Sequence, residues 1–113
     1  MSISDEFMVQ PLTISFDQDA VGLEAVTYKL YQNIPNPFGN TTAIRFELPE
    51  RMSAKLTIYN QLGQKVKQYE QVYDRGEHII EVGRKELGQE HQLFYYNLQT
   101  SEFTDTKSMI LLK

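Results

Sequence analysis

The stretch Thr42-Ala43-Ile44-Arg45-Phe46-Glu47-Leu48 alternates apolar and polar side chains, so Ile44, Phe46 and Leu48 share one face and Arg45 and Glu47 the other. A period of two marks a half-buried β-strand. Pro49 has no N–H to give a ladder and closes the strand. Downstream, Ala54-Lys55-Leu56-Thr57-Ile58-Tyr59 alternates again, and Asn60-Gln61-Leu62-Gly63 reads as a turn with Gly63 available for a positive φ. Strand-like residues resume at Val66 and run to Tyr73, where the spacing Val66, Tyr69, Val72 breaks alternation and predicts a bulge or an edge. Asp74-Arg75-Gly76 is the next turn, and His78, Ile80 and Val82 mark a short strand. Leu93-Phe94-Tyr95-Tyr96-Asn97-Leu98 carries aromatics on both faces, as a central strand does. The last run, Phe103 to Leu112, loses its polar alternation at Met109-Ile110-Leu111-Leu112. Upstream, Leu12, Ile14 and Phe16 share a parity in a further strand-rich stretch that Pro11 assigns to an edge, and residues 17–25 read as a linker or loop. Only Arg84-Lys85-Glu86-Leu87, between Gly83 and Gly88, has room for one helical turn. The predicted class is all-β, an immunoglobulin-like antiparallel β-sandwich of about seven short strands.

With 113 residues the chain buries roughly two-thirds of its unfolded surface on folding, enough for one core without staples. It has 0 Cys, so disulfides, thiolate nucleophiles and cysteine zinc sites are excluded. A net charge of -4 and a pI near 5.1 argue against a partner made of phosphates, and no nucleic acid is expected. No apolar run approaches the roughly 20 residues of a spanning helix, so no membrane insertion is expected. The first residues lack the basic start and apolar stretch of an export signal. They are read as the start of a fragment cut from a longer chain.

Catalytic chemistry finds little support. His78 and His91 have no carboxylate at metal-ligand spacing and read as ordinary structural or solvent-facing histidines. Gly83 to Gly88 has the glycine spacing of a phosphate loop without the Lys and Ser or Thr that would follow. Asp17 and Asp19 lack the further ligands of a calcium loop, and no Gly-x-Ser-x-Gly elbow occurs. Asn40-Thr41-Thr42 matches a glycosylation sequon, a pattern common by chance. The 7 Tyr and 6 Phe are assigned to a core rather than to a sugar platform, since there is no Trp and most fall on strand positions. A non-enzymatic protein without cofactors or metals is the expectation.

One stretch is too specific to be generic: Leu30-Tyr31-Gln32-Asn33-Ile34-Pro35-Asn36-Pro37-Phe38, running through Gly39-Asn40-Thr41-Thr42 into Ile44-Arg45-Phe46-Glu47-Leu48-Pro49. Pro35 and Pro37 fix φ and push Ile34 and Asn36 toward extended backbone, Asn36 can make a side-chain turn, and Phe38 can drop into the core. This resembles the opening of the C-terminal sorting domains (type A) of proteins exported by the type IX secretion system of Bacteroidetes. Leu56-Thr57-Ile58-Tyr59-Asn60-Gln61-Leu62-Gly63-Gln64-Lys65-Val66 is similar to that family's second hallmark, with Gly63 in the matching place. Gly76-Glu77-His78, Phe94-Tyr95-Tyr96-Asn97-Leu98 and the final Lys107-Ser108-Met109-Ile110-Leu111-Leu112-Lys113 follow in the family's order. The resemblance covers residues 30–113. Two features depart from it: the family usually has a Trp near Val82, and a Gly just before the late aromatic strand where this chain has Gln92.

The resemblance implies a division into residues 1–29, an N-terminal strand plus linker or the tail of an upstream cargo, and a sorting domain over 30–113. It implies an exported protein, periplasmic in transit and then at the cell surface or outside. Its partners would be the upstream cargo domain, the outer-membrane type IX translocon and a sortase-like peptidase that removes the domain. Lys107, Met109, Ile110, Leu111, Leu112 and Lys113 are the expected recognition segment, its backbone free to pair with a partner strand. The alternative is that 109–112 is simply a core strand. Tyr31, Asn33, Pro35, Asn36, Pro37 and Phe38 would set how the chain enters the domain. A chain stopping at Lys113 suits a signal read at a free C-terminus. A similar sandwich ends flagellar hook-capping and other surface proteins, which keeps an adhesive or carbohydrate-binding module and a scaffold module as alternatives.

Overall fold

The structure is a computed structural model and describes residues 27–113. The strand expected around Phe7 to Phe16, the linker at 17–25 and the Asp17/Asp19 pair lie outside the described residues. Seven strands and one short helix follow in order: β1 (Lys29–Leu30), β2 (Thr41–Leu48), β3 (Met52–Asn60), β4 (Lys65–Tyr73), β5 (Gly76–Gly83), α1 (Arg84–Leu87), β6 (Leu93–Gln99) and β7 (Thr104–Ile110). They form a three-stranded sheet β1-β2-β5 and a four-stranded sheet β4-β3-β6-β7, with every strand pairing antiparallel. This is the expected immunoglobulin-like β-sandwich. Its fourth strand lies beside the third instead of joining the first sheet as in constant-type domains.

Alternation builds the core. Ile44, Phe46 and Leu48 of β2 face Ala54, Leu56 and Ile58 of β3 and Phe94, Tyr96 and Leu98 of β6 across the sandwich, all buried in one cluster. Each fully buried side chain of this size contributes about 1.5–3 kcal/mol. β6 is central, between β3 and β7, as its aromatics imply. β4 is an edge strand with a register shift where Ile58 pairs with Lys67 and Tyr59 with Lys65, which leaves Val66 as the extra residue. The bulge resolves the broken spacing. Val66, Tyr69 and Tyr73 pack on the core, whereas Val72 points outward.

Turn chemistry explains the hairpin between β3 and β4. Buried Asn60 accepts the N–H groups of Leu62 at 2.9 Å and Gln64 at 3.1 Å through Oδ1, and Gly63 takes φ +83. At the other end, Glu86 Oε1 accepts the Gly83 N–H at 2.9 Å and starts α1, whose Leu87 is buried. Tyr28 stacks on Phe103 with ring centroids 4.9 Å apart, and Lys29 pairs with Glu47. Residues 28 and 29, the last described part of the 1–29 segment, therefore pack as part of the sandwich.

Candidate functional site

The segment from Tyr31 to Phe38 closes one side of the sandwich by shuttling between its two sheets. On the β2 side, the Tyr31 N–H donates to the Arg45 carbonyl at 3.0 Å, and Ile34 and Ala43 exchange two backbone bonds at 3.0 and 2.9 Å. The Ile34-Pro35 and Asn36-Pro37 peptides are cis. Asn33 is the hub and only 1% exposed. Its Nδ2 donates to the Pro35 carbonyl at 3.1 Å and Thr42 Oγ1 at 3.0 Å, while the Thr42 hydroxyl donates to the same carbonyl at 2.8 Å. Thr42, the third residue of the sequon, is thus committed to the interior.

Tyr96 reaches this hub from β6. Its hydroxyl accepts the Asn33 N–H at 2.8 Å and donates to the Tyr31 carbonyl at 2.7 Å. Burial pushes the phenol up to about 12, and the Asn33 N–H opposes the shift. Tyr96→Phe leaves a buried N–H and a partly buried carbonyl without this partner, and we expect a loss of about 1–3 kcal/mol in a denaturant titration at neutral pH. An unfolded tyrosine ionises near 10. Because the folded value lies higher, the stabilising contribution is full below pH 10 and is lost as pH rises toward 12. Alkaline unfolding of Tyr96→Phe should accordingly be less steep over that interval than that of the wild type.

The far side of the segment fastens β7. Gln32 Nε2 donates to the Ser108 carbonyl at 2.6 Å, and the Ile110 N–H donates to Asn36 Oδ1 at 2.9 Å. The Phe38 N–H donates to the Ile110 carbonyl at 3.0 Å, and the Leu112 N–H to the Phe38 carbonyl at 2.8 Å. Phe38 and Leu111 form a parallel bridge, and the Phe38 ring is 1% exposed. From the inner side Leu111 donates to the Gln92 carbonyl at 2.8 Å. Arg84 completes the clasp, its guanidinium bonded to the Leu112 carbonyl and, through Nε at 2.8 Å, to that of Gly39.

Two sequence readings are corrected by this geometry. Asn36 does not make a local side-chain turn; its carbonyl oxygen is spent on Ile110, 74 residues away. The backbone of the last strand between Ser108 and Leu112 is not open for strand addition, because residues 32–38 already occupy that edge.

Alternation sorts the expected recognition segment into two sets. Met109 and Leu111 are buried in the core, whereas Ile110 and Leu112 are 43% and 49% exposed. Lys113 is exposed and Lys107 half-buried. Tyr31 lies on the other sheet's outer face, where its hydroxyl donates to Glu47 and its ring sits 4.0 Å beneath Arg45, itself paired with Glu77 at 2.7 Å. The bond to Glu47, followed by partial burial, raises the Tyr31 pKa. Pro35 and Pro37 are exposed while Pro35 offers its carbonyl inward, and Gly63 sits on the β3–β4 turn.

Among the described residues, no three His, Asp or Glu side chains gather as metal ligands, and no helix is long and apolar enough to cross a membrane. His78 donates to the Asp74 carbonyl at 2.7 Å and packs on Phe46 and Tyr73. Gln32, Arg84 and Tyr96 are the residues that sequence reasoning missed; a polar atom on an inward strand position was the one available signal, for Tyr96. No protein-family model matches the chain, and no characterised protein matches it as a relative.

Proposed function

We propose that residues 30–113 act as a C-terminal secretion signal that directs an upstream cargo in the same chain across the outer membrane by the type IX secretion system and is normally cleaved afterwards. The order of motifs from Leu30 to Lys113 carries this reading. One structural observation supports it: the first motif and the last belong to one hydrogen-bonded unit, Asn36 and Phe38 holding the strand that runs into Ile110-Leu111-Leu112. A signature divided between two stretches some seventy residues apart has a physical reason if the first half exists to place the second. The domain's role is to be recognised, and the chemistry of cleavage belongs to the peptidase. The sugar-binding alternative asks for an aromatic platform, and among the described residues Tyr95 is the one aromatic counted as exposed.

The test is to place the full 113-residue chain behind a reporter bearing its own inner-membrane signal peptide, in a bacterium that has the secretion system. The reporter should leave the cell, and should stay in the periplasm when the translocon is deleted. Periplasmic retention in the intact strain, while an established sorting domain exports the same reporter, overturns the proposal.

A further inference from the structure

The strand register places an apolar patch at one end of the four-stranded sheet's outer face. Tyr59, Tyr95 and Ser108 are directly opposite one another on β3, β6 and β7, and Leu93 faces Ile110 in the adjoining same-face row. Leu112, two residues beyond Ile110, continues the outward set. Tyr95, Ile110 and Leu112 are 38%, 43% and 49% exposed, and Tyr59 and Leu93 are half-buried beside them. Large aliphatic and aromatic side chains grouped on a surface mark a contact face rather than a solvated one.

Two cations flank the patch. Lys65 pairs with Tyr59 at one margin, and Lys113 follows Leu112 at the other. A face with an apolar centre and cationic ends on a chain of net charge -4 is complementary to a protein surface that is apolar at its middle and acidic at its rim. The main-chain edge beside it is already taken by residues 32–38, so a partner arriving at this end meets side chains and not open backbone.

We infer that Tyr95, Ile110 and Leu112, flanked by Tyr59 and Leu93, form the docking surface for a protein partner with an apolar, acid-rimmed site. This rests on the secretion reading and makes that partner a component of the export machinery. Recognition is then by the outer face of the sheet, while Met109 and Leu111, on the opposite face of the same strand, only hold that face in place.

The experiment uses the same reporter fusion. Ile110→Thr and Leu112→Ser keep strand-compatible residues and remove the apolar surface; Ile79→Thr and Val72→Thr do the same at exposed apolar positions elsewhere. Melting curves of the purified chains should agree within a few degrees. Export of the Ile110→Thr/Leu112→Ser double variant should fall at least about tenfold, Lys65→Glu/Lys113→Glu should also lower it, and the Ile79 and Val72 variants should export as the wild type does. Wild-type export by the folded double variant overturns the docking surface and leaves the secretion reading standing. Failure of the wild-type fusion itself overturns the reading and the docking surface with it. If the purified wild-type chain dimerises, or sediments with phosphatidylglycerol vesicles, and the double variant does neither, the patch serves a second copy or a lipid surface and the inference is wrong.

Discussion

Phe38→Ala should cost this domain about 3–5 kcal/mol, the range for emptying a buried aromatic site. Phe38 is 1% exposed and belongs to the core cluster, so its removal leaves an internal cavity. The main chain on either side of that ring is committed to Ile110 and Leu112, and any relaxation that fills the cavity strains those bonds. Small domains are stable by only about 5–15 kcal/mol in total. At about 4–8 °C for each kcal/mol in a domain of this size, the melting temperature should drop by more than about 12 °C, read by circular dichroism. A change of only a few degrees would mean that Phe38 is not seated in the core.

Deleting residues 109–113 should leave a chain that does not fold cooperatively. Met109 and Leu111 are 0% and 2% exposed, and truncating a buried Met or Leu costs about 2–5 kcal/mol apiece even when the backbone stays. Here the backbone leaves as well, stranding the Gln92 carbonyl, the Asn36 amide oxygen and the main chain of Phe38. Loss of near-ultraviolet circular dichroism and of a thermal transition is the expected outcome. A truncated chain that melts cooperatively near the wild-type temperature would contradict the placement of β7. The deletion therefore removes the proposed signal and the fold together, and only outward substitutions such as those at Ile110 and Leu112 separate the two.

The sandwich was legible because a half-buried strand writes its environment into alternate residues. Ile44, Phe46 and Leu48, then Ala54, Leu56 and Ile58, face inward as their parity requires. Gly63 adopts the positive φ expected of it, and Pro49 follows the last residue of β2. The edge nature of β4 was visible in its broken spacing, although not which residue bulged; that depends on the pairing with β3 and placed Val72 outside. The clasp was not legible. Its bonds join the Asn33 N–H to Tyr96, Asn36 to Ile110 and Gln32 to Ser108, and neither a loop N–H nor a side-chain amide carries a periodic signature of a partner 63 to 76 residues away. Local rules assigned Asn36 to a turn because local partners are all they contain. Likewise Met109-Ile110-Leu111-Leu112 reads as one apolar run, and only the sandwich divides it into two core residues and two surface ones.

The claim on which the rest depends is that residues 32–38 cover the outward edge of the last strand. Amide hydrogen exchange at single-residue resolution tests it directly. The Ile110, Leu112 and Phe38 amides, bonded to the Asn36 side chain, to the Phe38 carbonyl and to the Ile110 carbonyl respectively, should be protected comparably to amides within β6. Asn36→Ala should speed exchange at Ile110 more than at Leu112. Exchange of the wild-type Ile110 and Leu112 amides at the rate of a solvent-facing strand edge would contradict the account.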